Sequence, residues 1–144
     1  MQILKLALIS TIVSTLILFC GIVAFAAPPS KTVTVDAQSL NVRPTIGPLF
    51  ANKDNRVTFK VRQQGTKFDG TGYWIGLAYG TNGAKSASAT IQNGSTVTTN
   101  GAGTIDFASG DLTASGDFWY NVRLTNASET IVIGEGWMQV RPSL

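Results

Sequence analysis

Chemistry on a protein needs groups that exchange protons, hold metal ions or attack electrophiles, and this sequence is sparing with them. It has no histidine, and its one cysteine, Cys20, lies inside an apolar leader. The part that follows the leader therefore has no histidine general base, no Cys or His metal site and no disulfide. A hydrolase built on this chain would have to run on its 8 Asp and Glu residues. A glycosidase pair needs two carboxyl groups facing across a cleft. Most of these carboxylates instead stand beside Gly, Asn, Ser or Thr, the setting in which Asp caps turns. Glu135, between Gly134 and Gly136, falls within a predicted strand, and exposure at a bulge accounts for it. Asp106, Asp111 and Asp117 offer oxygen ligands of the kind calcium takes, but their spacing matches no calcium-loop pattern. The expectation is a non-enzymatic chain with no catalytic residue, no metal and no cofactor.

The aromatic residues are the better candidates. Trp74, Trp119 and Trp137 fall on predicted strands, and Trp119 belongs to the same outward set as Asn121 and Arg123. Tryptophans beside polar groups can anchor a protein interface or stack on sugars, and they can equally pack over the outside of a sheet. Trp74, Trp119, Arg123 and Trp137 are thus the possible interface residues, with these readings open. A net charge of +3 is too small to argue a nucleic-acid partner. Lys53, Arg56, Lys60, Arg62 and Lys67 lie close in sequence, but three of them alternate along one strand, as on a solvated face. Asn93-Gly94-Ser95 and Asn126-Ala127-Ser128 match the N-glycosylation pattern, and both sit where turns are expected.

These residues are carried by strands. Charged residues make up only 13% of the chain, with Ser, Thr, Gly and Asn in their place, a composition suited to a secreted or surface-exposed β protein. Lys31–Asp36 alternates, with Val33 and Val35 on one face, and Leu40–Arg43 reads as a second short strand. The Pro and Gly residues of 44–55 mark a loop, with Leu49 and Phe50 tucked against the sandwich. Arg56–Arg62 turns Val57, Phe59 and Val61 inward. Tyr73–Tyr79 is apolar on both sides, as a central strand is. Ala87–Gln92 and Thr96–Thr99 are predicted edge strands joined by an Asn93-Gly94 turn, and Gly103–Phe107 turns Ile105 and Phe107 inward. The closing hairpin alternates from Phe118 to Thr125, turns at Asn126–Glu129 and returns from Thr130 to Val140. Its Gly134 and Gly136 predict a bulge that re-aims Trp137.

The leader has one positive charge, Lys5, followed by Leu6 to Ala27 without any charge. Ala24 and Ala26 occupy the two positions a signal peptidase reads, giving a cut after Ala26. The run is also long enough for a single-pass anchor, so both readings stand. Either one exports the rest of the chain, to a secreted or periplasmic location or to the outer side of a membrane. Cys20 before Gly21 invites lipidation, but Phe19 stands where a small residue is wanted. The predicted division is 1–27 signal peptide or anchor, 28–32 linker and 33–144 a β-sandwich domain.

The order of these pieces carries a resemblance. A Val- and Phe-rich strand precedes Gly65-Thr66 and Asp69-Gly70-Thr71, followed by an apolar central strand. Then come Gly116-Asp-Phe-Trp-Tyr-Asn-Val-Arg-Leu-Thr125 and a terminal Val140-Arg141-Pro142. Over 32–144 this resembles the small immunoglobulin-like sandwich modules of tailed bacteriophages, of the baseplate upper protein N-terminal type. The resemblance implies an antiparallel two-sheet immunoglobulin-like sandwich of about seven to nine short strands, here preceded by one N-terminal hydrophobic helix. It also implies a structural or assembly role in a virion or surface assembly, with other protein subunits as partners. The alternative is a secreted or anchored binding module that recognises carbohydrate or a protein receptor through its exposed aromatics.

Overall fold

The computed structural model describes residues 27–36, 43–81 and 89–143. The leader, with its predicted helix and the Ala24/Ala26 cleavage site, and most of the predicted strand Leu40–Arg43 lie outside the described residues. Within them the chain is all-β, with nine strands in two sheets: β1 (Ser30–Asp36), β2 (Ile46–Phe50), β3 (Asn55–Gln63), β4 (Thr66–Lys67), β5 (Trp74–Gly80), β6 (Thr90–Thr96), β7 (Ala102–Phe107), β8 (Gly116–Thr125) and β9 (Thr130–Arg141). One sheet places β3 between β1 and β7, with β4 turning back on the end of β3. The other runs β2-β9-β8-β5-β6, so β5 is interior, as its two apolar faces require.

Alternation drives the packing. Val57, Phe59 and Val61 of β3, with Ile105 and Phe107 of β7, meet Ile75, Leu77, Tyr120, Val122 and Leu124 of the facing sheet. Each of these is essentially inaccessible to solvent. A buried side chain of this size contributes roughly 1.5–3 kcal/mol through removal from water, so this shared core dominates the fold.

Three expectations are corrected. The sandwich is mixed, not wholly antiparallel: β1 runs parallel to β3, and β2 runs parallel to β9. β1 also takes in Ser30 to Thr32, the predicted linker, because Ser30, Lys31 and Thr32 pair with Arg56, Val57 and Thr58. Second, the segment expected to be loop from Pro44 to Asn55 contains β2. It is held as an edge, where a proline is tolerated, by burial of Ile46 and Leu49. Buried Asn55 closes the following turn, accepting from Phe50 N at 2.9 Å and donating to Phe50 O at 2.8 Å and Lys53 O at 2.7 Å. Third, Asn93-Gly94 is not a hairpin turn. β6 runs through it, and the register against β5 shifts between Trp74 and Gly76 to absorb the irregularity.

The bulge expected in the last strand is present. Val122 pairs with Gly134 but Arg123 pairs with Val132, leaving Ile133 as the extra residue. Without it Trp137 would face the core; with it Glu135 and Trp137 point outward and Met138 and Val140 point inward. Gly136 lets another segment approach, since a Cβ there would collide with the Pro44 carbonyl, the group to which the buried Tyr120 hydroxyl donates.

The strands also define two ends. Ser30 opposite Arg56, Arg56 opposite Asp106, and Tyr79 donating to Asp111 O place the start of β1 and the end of β5 together. Pro28 and Ser143 line one hollow at this entry end. Trp74, the first residue of β5, therefore lies at the far end.

Candidate functional site

The outer face of the five-stranded sheet gathers every tryptophan of the chain. β5 contributes Trp74, Gly76 and Ala78, β8 contributes Trp119, Asn121 and Arg123, and β9 contributes Glu135 and Trp137. Ile91 of β6 stands on the same face beside Ala78 and is 57% exposed.

Trp119 and Trp137 are direct partners across β8 and β9, and their rings meet edge to face, 4.8 Å apart at 82°. The guanidinium of Arg43 lies 5.6 Å from the centre of the Trp119 ring and 3.7 Å from the Glu135 carboxylate. Trp119 is thereby half-buried, while Trp137 remains 48% exposed. Arg123 turns its Nε to the buried Asn121, donating to Oδ1 at 2.8 Å. Trp74 is not part of this cluster. From Trp74 to Gly80, the residue opposite Trp119, β5 rises about 20 Å. Of the four candidate interface residues, two meet, Arg123 stands between, and Trp74 stands apart at the far end with 49% exposure.

Arg43 was not among the expected site residues. It precedes Pro44 in a stretch that reads as loop, and nothing in the order of residues places it over a ring some seventy positions later. Glu135, expected to be a solvated carboxylate at a bulge, is instead its ion-pair partner.

The remaining carboxylates other than Asp117 brace turns or hold side-chain partners. Asp36 accepts from Gln64 N and Gly65 N, Asp54 from Ser109 N, and Asp111 from Ala108 N. Asp69 accepts from the hydroxyl and amide of Thr71, which hold its carboxyl below the ordinary range. The Arg56 guanidinium donates twice to Asp106, at 2.6 and 2.9 Å, and lowers its pKa likewise. Glu129 accepts from the Tyr73 hydroxyl, which raises the phenol's pKa. Asn126 makes its expected turn, accepting from Ser128 N and Glu129 N. Asp106 and Asp111 are linked through Gln92, but Asp117 lies on β8 opposite Gln139, so the three possible calcium ligands do not converge. Among the described residues no three Asp, Glu, Cys or His side chains are placed to hold a metal ion.

A second feature of the outer face is a notch of 280 Å³ at its far end. It is lined by Trp74, Ile75, Gly76, Asn93, Gly94 and Thr125.

No protein-family model matches this sequence, nor does any curated protein. Solved structures do share the fold. The N-terminal domain of phage TP901-1 ORF48 superposes with a TM-score of 0.57 at 9% identity, over 78% of this chain and 98% of that one. A chain from Bacteroides vulgatus assigned as a glycoside hydrolase gives a TM-score of 0.42 at 14% identity, over 71% of this chain and 17% of that one. The first likeness shows a sandwich architecture shared with a phage protein domain. The second is too loose to carry an argument.

Proposed function

We propose that this chain is a non-enzymatic structural module of a phage virion or surface assembly, delivered outside the cytoplasm or held at a membrane by its leader. It docks on other protein subunits through the outer face of the five-stranded sheet. The observation that carries this reading is the exposed part of Trp137, fixed in direction by the Ile133 bulge and backed by Trp119 and Arg43. A large aromatic side chain held rigid by its neighbours loses little entropy on docking, which is what an interface anchor needs. The likeness to a phage protein domain, over 98% of that domain, supports the setting. The turn-bracing and partnered carboxylates support an assembly role over a hydrolytic one.

Co-sedimentation tests it. The full chain, expressed with the genes that neighbour its own, should travel with large particles in a density gradient, and Trp137→Ser should release it to the slow fractions. A wild-type chain found only in the slow fractions would overturn the proposal.

A further inference from the structure

The notch beside Trp74 is built unlike the rest of the outer face. Its floor is glycine, and a Cβ added at Gly76 would have no neighbour closer than the Gln92 carbonyl at 3.7 Å and Asn93 Oδ1 at 3.9 Å. Gly76 is itself buried, yet close packing does not demand a glycine there, since an added methyl group would meet only ordinary contacts. One wall is the indole of Trp74. Asn93 is exposed, its side-chain amide leans over Gly76, and that amide makes no hydrogen bond with another described residue. The Thr125 hydroxyl lies on the other side, 3.2 Å from that of Thr130.

No Lys, Arg, Asp or Glu lines this space. Arg123, which pairs with Gly76 across the sheet, has its Nε engaged by Asn121, toward the Trp119 end. A charged ligand would find no counter-charge among the lining residues, and a purely apolar one would leave the amide and hydroxyl unpaired. A neutral ring with an apolar face and a hydroxyl rim satisfies all of these groups at once. Its axial C–H bonds stack on the indole, while its hydroxyls give hydrogen bonds to, and accept them from, Asn93 and Thr125. The volume of 280 Å³, just under the range of drug-sized pockets, suits one such ring.

We propose that the Trp74 notch is a binding site for a neutral pyranose, one residue of a glycan. It lies at the far end of the sandwich from Pro28, so a chain tethered through its leader presents this site outward. The site is distinct from the Trp119–Trp137 cluster and does not depend on assembly.

The test is saturation-transfer NMR on the full chain, with a panel of methyl glycosides of glucose, galactose, rhamnose and N-acetylglucosamine. A ligand of a dozen or so heavy atoms making one stack should bind with a Kd on the order of 1–10 mM. At least one panel member should show transfer, strongest on the protons of one ring face. Trp74→Ala and Gly76→Val should each weaken it at least tenfold, and Trp137→Ser should leave it intact. Gly76→Val fills the notch with a residue suited to a strand; Gly76→Ala, which meets only ordinary contacts, is the milder version should valine disturb the fold. Absence of transfer from every glycoside at about 10 mM would overturn the proposal. So would a signal unchanged by Trp74→Ala, or one lost with Trp137→Ser. Loss of particle co-sedimentation in Trp137→Ser with sugar binding retained separates this site from the assembly surface.

Discussion

The two ends of one sheet face use tryptophan in opposite ways. At the entry end Trp119 has a ring against its edge, a guanidinium over its face and a bulge that sets its partner, all braced by a carboxylate. At the far end Trp74 borders glycines and faces threonines, and nothing crowds it. The same residue type on the same face is thus a fixed platform at one end and the wall of an open notch at the other. What separates them is the neighbours: Gly136 admits the Arg43–Pro44 segment to one end, while Gly76 keeps the other end empty.

Paired glycine substitutions test that contrast most strongly. Gly136→Ala drives a methyl group into the Pro44 carbonyl and displaces the segment that carries Arg43, so it should cost about 2–3 kcal/mol in denaturant unfolding. Gly76→Ala meets no close atom and relieves a glycine in a strand, so it should be neutral or stabilise by up to about 1 kcal/mol. Equal losses at both positions would erase the distinction between the ends.

Tyr120→Phe removes the hydroxyl that donates to Pro44 and should cost about 1–2 kcal/mol. Burial raises the Tyr120 pKa well above its ordinary value of 10.0. The unfolded chain therefore loses this proton at lower pH than the folded one does. Its contribution is intact below pH 10.0 and falls away as pH rises beyond it, and that alkaline fall should be shallower in Tyr120→Phe. An identical alkaline slope in both proteins would show that this hydroxyl is not held as described.

Trp119→Ala loses the edge contact and the guanidinium and should cost about 1 kcal/mol, whereas Trp74→Ala should stay within about 0.5 kcal/mol. If Trp74→Ala were the costlier change, Trp74 would be a packing residue rather than the wall of an open site.

Much of this arrangement is legible in the order of residues, and the rest is hidden for identifiable reasons. The inward and outward sets of β3, β5, β7 and β8 follow from alternation, because each strand has one face on a shared core. Gly134 and Gly136 point to the bulge that turns Trp137 outward. β2 is hidden because Pro44, Gly47 and Pro48 mark a loop, while its pairing with β9 depends on a partner near the end of the chain. The Asn93-Gly94 signal misleads because register with β5 outweighs local turn preference, and β6 continues through it. Arg43 is invisible locally, since its role exists only once Trp119 and Glu135 are brought beside it. The notch is half-legible: Trp74 and Gly76 are two apart on one strand face, but Asn93 arrives from a neighbouring strand whose register no local pattern fixes.

Docking through the Trp137 face is tested by site-specific photo-cross-linking in the cell that makes the protein, with a benzophenone amino acid in place of Trp137 or, on the outer side of the other sheet, Lys60. A discrete cross-linked protein product of fixed stoichiometry is expected from position 137 and none from position 60. No product from position 137, or equal products from both positions, would contradict docking through that face.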